Sequence, residues 1–122
     1  MPLGQHPLSH RFYFLRIPDI SSASAEYLRV PERGKIIRIQ STLGGAISGA
    51  NAGILTKING TNITGGALTV AQSGSAAGDL DETVPSALNA LVEGDLLSVH
   101  TDGASTGTQP LTVCFEVDPT AV

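Results

Sequence analysis

Apolar and polar residues alternate along several short stretches of this chain, and this period of two predicts β-strands. Between residues 111 and 117 the alternation has no exception, and it assigns four side chains to the interior: Leu111, Val113, Phe115 and Val117. Further strands are predicted at residues 11–17, 26–30, 35–42, 53–58, 68–70 and 95–101. About eight short strands, separated by turn residues every eight to twelve positions, are typical of all-β domains. We therefore expect an all-β fold, a jelly-roll-like β-sandwich.

The first predicted strand differs from the others because both of its faces are apolar. Tyr13, Leu15 and Ile17 share one face, and Phe12 and Phe14 share the other. Such a strand is either covered on both sides or turns one face toward a partner.

Two turns are predicted with a specific geometry. Asn59-Gly60, between two apolar runs, is the strongest hairpin signal in the chain and predicts a two-residue type I′ turn. Residues 31–34 (PERG) predict a four-residue hairpin whose glycine takes a positive φ. The strand that follows is expected to turn Ile37 and Ile39 toward the core.

One short helix is predicted near residues 84–92. Thr83 can cap its first turn, and Val84, Leu88 and Leu91 fall on one face at helical spacing. A proline suits the first turn, and a glycine follows the end. We expect this helix to lie over one end of the sandwich and close it.

The composition indicates a single domain whose core contains few aromatic residues. The 122 residues suffice for a single core, but they include only three Phe, two Tyr and no Trp. Each strand therefore buries little apolar area, and an isolated monomer has only a small margin of stability. We expect self-association to supply additional buried area. Residues 1–10 are expected to form an extended N-terminal arm, followed by a single β-sandwich domain at residues 11–122. Cys114, the only cysteine, is interpreted as a small buried side chain rather than a reactive thiol.

Charge is divided unevenly along the chain. Residues 1–40 carry six basic and three acidic side chains, whereas the part after Lys57 carries eight acidic side chains and no Lys or Arg. Either basic and acidic strands alternate within one sheet, or one charged surface faces an acidic partner or a second copy. Six scattered bases without interleaved aromatic residues are too few for a nucleic-acid surface.

The sequence contains no recognisable membrane span, signal peptide or set of catalytic residues. No stretch approaches the ~18 apolar residues of a membrane span, and the first ten residues lack the features of a signal peptide. We therefore expect a protein that is made in the cytoplasm and stays soluble, or that leaves by a route that needs no signal. Ser48 and Ser75 lie among small residues, and neither has a basic residue nearby in the sequence that could activate it as a nucleophile. His100 by itself does not make up a catalytic triad. We expect a non-catalytic protein.

Two groups of metal-ligand residue types occur in the sequence. Asp79, Asp81 and Glu82 could supply oxygen ligands to calcium, but we interpret them as an acidic cluster at the start of the predicted helix. His6 and His10 have a spacing that serves a metal only on a helix, and the intervening proline argues against one. We expect two solvated histidines, no metal and no cofactor.

Two segments carry a resemblance to a known class of proteins. They read FLRIPDISSASAEYLRVPERGKIIRI and GSAAGDLDETVPSALNALVEGDLLSV. Their features are an Ile-Pro-Asp-x-Ser-x-Ala start, a Val-Pro-x-x-Gly turn and an Ala-Ala-Gly-Asp-x-Asp segment. A glycine-rich middle separates them, and a Thr-Asp-Gly-x-Ser-Thr-Gly loop precedes the last strand. In these features the chain resembles the head decoration, or capsid cement, proteins of tailed bacteriophages.

The resemblance implies a structural virion protein on the outer capsid surface. Such a protein would stabilise the capsid by bridging adjacent major capsid subunits, with no nucleic-acid or membrane partner. It would also associate with itself, with a homo-trimer favoured and a dimer possible. Because an arm followed by an aromatic strand suits docking on a neighbour, we expect five partner contacts: His6, Arg11, Phe12, Phe14 and Arg16.

The alternative is a glycan- or receptor-binding β-sandwich module of a phage fibre or tail. Glycan surfaces usually rely on exposed Trp or Tyr side chains for stacking, and this chain has only Tyr13 and Tyr27. The structural protein is therefore the preferred hypothesis. A hydrolase that depends on His100 ranks third.

Overall fold

The protein forms two antiparallel β-sheets that pack face to face. A computed structural model describes residues 9–121, and the regular elements within them are strands. The strands are β1 (Arg11–Ile17), β2 (Ser24–Arg29), β3 (Gly34–Leu43), β4 (Ala52–Ile58), β5 (Thr61–Asn62), β6 (Leu68–Val70), β7 (Leu80–Thr83), β8 (Ala90–Leu91), β9 (Leu96–Thr101) and β10 (Leu111–Asp118). The predicted all-β sandwich is confirmed.

The order of the strands is that of a jelly roll. Sheet A has the order β1-β10-β3-β7, and β8 also pairs with β3. Sheet B has the order β2-β9-β4-β5, and β6 also pairs with β4. Strands β1 to β4 alternate between the two sheets, as do β9 and β10, which is the double Greek-key path of a jelly roll. Because one edge strand of each sheet is broken in two, more segments are present than were predicted.

The core lies between the sheets and is centred on β10. This strand lies between β1 and β3, and its four inward side chains have no solvent exposure: Leu111, Val113, Phe115 and Val117. Phe115 is the largest of the fully buried side chains. In β6 and β9, two of the other predicted strands, alternating apolar side chains are also buried: Leu68, Val70, Leu97 and Val99. Alternation along the sequence therefore identified much of the core correctly.

The alternation is interrupted at a β-bulge in β3. The register between β10 and β3 shifts between Glu116 and Val117, which leaves Ile37 without a partner on β10. Ile36 and Ile39, three positions apart, are fully buried, whereas Ile37 is only partly buried. The prediction that Ile37 faces the core is wrong, because the extra residue of a bulge moves the alternation by one position.

The segment at residues 84–92 is not helical, so the predicted helical lid is wrong. The strands on either side of its irregular part, Leu80–Thr83 and Ala90–Leu91, both pair with β3. Val84 and Leu88, which were assigned to the buried helix face, are 64% and 63% exposed. The segment therefore forms an interrupted edge of sheet A.

Hydrogen bonds to distant parts of the chain hold the backbone of this segment in its irregular conformation. The N–H of Ser86 donates to the carbonyl of Thr64 (2.9 Å), and the N–H of Thr64 donates to the carbonyl of Ala87 (3.0 Å). The side-chain amide of Asn89 donates to the carbonyl of Ile36 (2.7 Å), whose own N–H donates to the Asn89 carbonyl (2.9 Å). Because an isolated helix of about nine residues is marginal in water, these bonds decide the conformation.

Of the two predicted turns, the one at Asn59-Gly60 is confirmed and the hairpin at residues 31–34 is wrong. Asn59 and Gly60 have positive φ angles of 51° and 82° and join β4 to β5 in the predicted type I′ turn. Residues 31–34 do not form a hairpin, because they carry the chain from β2 in sheet B to β3 in sheet A. Gly34 has no positive φ. It is needed for space, since a Cβ there would lie 2.5 Å from Val117 Cγ1.

Basic and acidic strands alternate in sheet A. The strand β3 carries Lys35 and Arg38 and lies between β10 and β7, which both carry acidic residues. Arg38 Nε lies 3.6 Å from Glu116 Oε1, and Lys35 lies opposite Asp118. In sheet A, the charges of neighbouring strands therefore neutralise each other. This agrees with the interpretation that basic and acidic strands alternate within one sheet.

Gly34→Ala is expected to destabilise the fold by about 1–3 kcal/mol, because the new methyl group must displace Val117 and the backbone of Asp118. The matched control is Gly53→Ala on β4. There the nearest atom belongs to the exposed carboxylate of Asp102, which can rotate away. Chemical denaturation gives both free energies of unfolding. Equal values for the two variants would contradict the proposed role of the contact.

Candidate functional site

An exposed pair of phenylalanines marks the outer side of β1, an edge strand of sheet A. The inward side chains Leu15 and Ile17 are buried. Phe12 and Phe14 point away from the core and are 50% and 62% exposed. Two large rings on one face of a strand form an apolar surface of the kind that binds partners. We call Phe12, Phe14 and Arg16 the β1 outer face.

An ion-pair cluster borders the β1 outer face. Glu116 is the cross-strand neighbour of Phe12. Its Oε2 lies 2.7 Å from His10 Nδ1, and its Oε1 lies 3.6 Å from Arg38 Nε. The His10 side chain is only 14% exposed, so His10 is not the solvated residue that was expected. The cluster ties the chain to sheet A just before β1 begins.

The β1 outer face contains three of the five predicted partner contacts. Arg11 has the opposite orientation along the strand, and its Nε lies 2.6 Å from Glu32 Oε1. This guanidinium is therefore engaged in an ion pair within the chain. His6 lies outside the described residues. The structure thus brings together the two rings and one guanidinium.

Cys114 lies beside the β1 outer face rather than in the core. It is the cross-strand neighbour of Phe14 and is only partly buried. Burial, followed by the negative charge of Glu116, raises the pKa of its thiol. The thiol therefore stays protonated at neutral pH, a state in which it is a poor nucleophile. The prediction of a small buried side chain is correct only in part, because Cys114 is partly buried and points to the outer side of the sheet.

A second surface, which sequence reasoning missed, lies on the outer side of sheet B. We call it the Tyr27 patch, and it consists of Tyr27 on β2, Ser98 and His100 on β9, and Leu55 and Lys57 on β4. Tyr27 lies opposite Ser98, and Leu55 lies opposite His100. Tyr27 is 58% exposed, and its ring meets that of His100 edge-on at 6.1 Å between centroids. These residues come from three strands and meet only through the strand register. No sequence motif therefore predicts the Tyr27 patch.

Ser98 and His100 form a close hydroxyl–imidazole pair. Ser98 Oγ lies 2.9 Å from His100 Nε2, a distance that also occurs between a catalytic serine and its base. However, Ser98 is only 3% exposed, so a substrate has no approach to its hydroxyl. Burial, followed by the charge of Lys57, lowers the pKa of His100. The pair is therefore a hydrogen bond between a covered hydroxyl and a neutral imidazole at neutral pH.

Other serines are exposed, engaged in the fold or covered. Ser48 is exposed and lies in an isolated backbone bridge. Ser75 Oγ accepts from the N–H of Ile47 (2.9 Å) and fastens a loop. Ser105 lies at the centre of a Gly-x-Ser-x-Gly pattern, residues 103–107, which sequence reasoning overlooked. That pattern activates serine when the side chain is exposed on a strand-to-helix turn, whereas Ser105 is 4% exposed in a loop between two strands.

The acidic residues near β7 do not converge on one point. Asp81 and Glu82 are successive residues of a strand and point to opposite sides. Asp79 Oδ2 accepts from the N–H of Ala76 (2.9 Å), and Glu82 Oε1 accepts from Gln40 Nε2 (2.8 Å). In the described part of the chain, no group of three or more His, Cys, Asp or Glu residues is placed to hold a metal ion. The preferred helix-start interpretation is also wrong, since the helix is absent.

Two shallow clefts lie near the interrupted edge of sheet A. The larger has a volume of about 370 Å³ and is lined in part by Leu88, which has an unusual positive φ of 54°. The smaller has a volume of about 270 Å³ and includes Arg33 and Val92. Asp95 lines the larger cleft, but its oxygens accept from Asn59 Nδ2 and the N–H of Val92, both at 2.9 Å. Its carboxylate therefore serves the fold.

Comparison with known proteins does not place the chain in a family. No protein-family model matches it, and no curated protein sequence is significantly similar to it. Within residues 9–121, no helix has the length and apolar character needed to cross a membrane. The two exposed aromatic surfaces are therefore the main structural guide to function.

Lowering the pH from about 7.5 to about 5 is expected to destabilise the protein through His100. Its folded-state pKa lies below the 6.5 of an unperturbed imidazole, so the unfolded chain takes up a proton first as the pH falls. This stabilising contribution is present above pH 6.5 and is lost as the pH falls through the lower folded-state pKa. Thermal unfolding at the two pH values measures the fall in Tm.

The variant His100→Gln should show a smaller fall in Tm between the two pH values than the parent protein. Lys57→Gln removes the second cause of the lowered pKa and should give an intermediate fall. An unchanged pH dependence in His100→Gln would contradict this account of the Tyr27 patch.

Proposed function

We propose that this protein is a non-catalytic structural component of a tailed-phage virion. It binds the outer surface of the capsid and stabilises it by bridging adjacent major capsid subunits. The observation that carries the proposal is the β1 outer face, where Phe12 and Phe14 stand exposed on a regular strand. Its partners are the major capsid protein and further copies of itself, and neither nucleic acid nor a membrane takes part.

The β1 outer face is suited to binding because it is apolar and held in place before a partner arrives. β1 pairs with β10 along its whole length without a register shift. Little conformational freedom is therefore lost when the surface docks. Covering one phenylalanine contributes roughly 1.5–3 kcal/mol, and on a capsid lattice this contribution is repeated at every copy.

Two of the segments in which the chain resembles decoration proteins lie in contact with each other. The Ile-Pro-Asp segment belongs to the β1–β2 connection, and the Thr-Asp-Gly segment begins the β9–β10 loop. Thr101 Oγ1 donates to the carbonyl of Ile20 (2.8 Å), and the N–H of Ile20 donates to the carbonyl of Gln109 (2.9 Å). These segments hold one end of the jelly roll together. The resemblance thus concerns residues that maintain the fold, and jelly rolls occur in viral capsid proteins as well as in lectins.

The non-catalytic part of the proposal is supported by how the reactive groups are used. Ser98 is hydrogen-bonded but covered, and Asp95 accepts two hydrogen bonds within the fold. The thiol of Cys114 has a raised pKa. These three groups therefore have a structural role or an inactive protonation state.

Phe14→Ser is expected to weaken capsid binding by about 10–100-fold, because one ring no longer leaves water on docking. The matched control is Tyr27→Ser, which removes a similarly exposed ring from the opposite sheet. Co-sedimentation with expanded capsids that lack the protein measures both affinities. The native mass of each variant is measured alongside, so that changes in self-association are recognised. No co-sedimentation of the parent protein, or equal losses in the two variants, would contradict the proposal.

A second candidate function is favoured by the Tyr27 patch. Its exposed ring lies beside the imidazole of His100, and Lys57 lies on the other side of Ser98. This combination of a stacking surface and polar groups suits a sugar. The module would then recognise glycans or a receptor from a phage fibre or tail.

A glycan array tests this second function with the same pair of variants. Competable binding that is lost in Tyr27→Ser and kept in Phe14→Ser would support the glycan-binding module. Absence of binding by the parent protein would exclude the glycans represented on the array.

A further inference from the structure

The free edge of β1 lacks most of the features that normally protect the edge of a sheet. On the side away from β10, no backbone hydrogen bond between described residues involves Arg11–Ile17. Natural sheet edges are usually blunted by bulges, prolines, charged side chains or very short strands. The far edge of sheet A follows this rule, since it is broken into β7 and β8. In contrast, β1 has seven residues, no register shift, and no proline, glycine or lysine. Its two charged residues are Arg11, which is paired with Glu32 within the chain, and Arg16.

We infer that two copies of this chain pair through this edge, with β1 antiparallel to β1 of the second copy. Phe14 is the central residue of the strand, so a two-fold axis beside it pairs all seven residues. Outward side chains then meet outward side chains and inward ones meet inward ones. The resulting pairs are Phe14 with Phe14, Phe12 with Arg16, Tyr13 with Leu15, and Arg11 with Ile17.

This register pairs the full length of both strands, and it also gives the charge of Arg16 a favourable neighbour in the second copy. Arg16 has no ion pair among the described residues. In the inferred pair it lies opposite Phe12 of the second copy, where a guanidinium can stack on the ring. Glu116 lies one strand further on, so the cation also approaches a carboxylate.

Other registers are less favourable for the same reasons. In the inferred register the two Arg16 side chains are about 14 Å apart, because four residues separate them along the strands. A shift that places Arg16 opposite Phe14 brings the two guanidinium groups to within about 8 Å and leaves end residues unpaired. The opposite shift removes the contact between Arg16 and Phe12.

The pairing would join sheet A of both copies into one continuous sheet. Its outer side would carry Phe12 and Phe14 from each copy, a two-fold apolar surface. The edge thus forms a dimer rather than the trimer that the resemblance favours. This inference does not rest on the proposed function, because it concerns the purified protein without a capsid.

Disulfide trapping tests the pairing residue by residue. The parent for these variants is Cys114→Ser, since Cys114 neighbours Phe14 and would capture a thiol introduced there. Phe14→Cys should form a covalent dimer under mild oxidation, because directly opposed residues lie about 4.5–5.5 Å apart, within the range of a disulfide. Phe12→Cys is the matched control on the same face. Its two thiols would be about 14 Å apart and should stay reduced.

A mixture of two single variants tests the register without altering Phe14. Phe12→Cys and Arg16→Cys should each remain unlinked alone and should form a linked heterodimer when mixed, since these positions lie opposite each other in the inferred pair. The unmodified chain should have a native mass twice the 12.5 kDa of one copy by light scattering.

Two results would overturn the inference. One is the absence of linked product in both Phe14→Cys and the mixture. The other is equal linking in Phe14→Cys and Phe12→Cys, which would indicate random collision. A failure to bind capsids would leave these results unaffected, so the inferred dimer and the proposed function can fail separately.

Discussion

The position of the last strand between the first strand and β3 is the constraint on which the rest of the structure depends. β10 hydrogen-bonds to β1 on one side and to β3 on the other, and its four inward side chains are fully buried. Because Arg11 lies opposite Val117, the first strand has no place in its sheet until nearly the whole chain is available. Such distant pairings make folding slow relative to helical proteins of the same size.

The same constraint determines which surfaces are offered to partners. β10 covers one side of β1 and leaves the other side as an open sheet edge, with Phe12 and Phe14 on the outer face. On the opposite sheet, β9 occupies the equivalent central position and places His100 between Tyr27 and Leu55. The two outer faces therefore differ in chemistry: one is phenylalanine-rich beside an ion-pair cluster, and the other combines a tyrosine with polar groups.

Charge contributes locally rather than as one field across the molecule. The basic strand β3 lies between acidic neighbours, and Glu116 lies within reach of both His10 and Arg38. Since this sheet largely neutralises its own charges, the aromatic positions distinguish its surface more than net charge does. The uneven distribution along the sequence thus reflects which strands become neighbours in the jelly roll.

Sequence alone determined the features that depend on local backbone geometry. A strand turns successive side chains to opposite sides, so alternation identified the buried residues of β10 and put Phe12 and Phe14 on the same face of β1. The Asn59-Gly60 turn followed from the positive φ that this pair adopts readily. Tertiary structure decided the features that depend on distant partners. The bulge at Ile37, the non-helical segment at residues 84–92 and the Tyr27 patch exist because remote strands supply the hydrogen bonds and neighbours that no local pattern specifies.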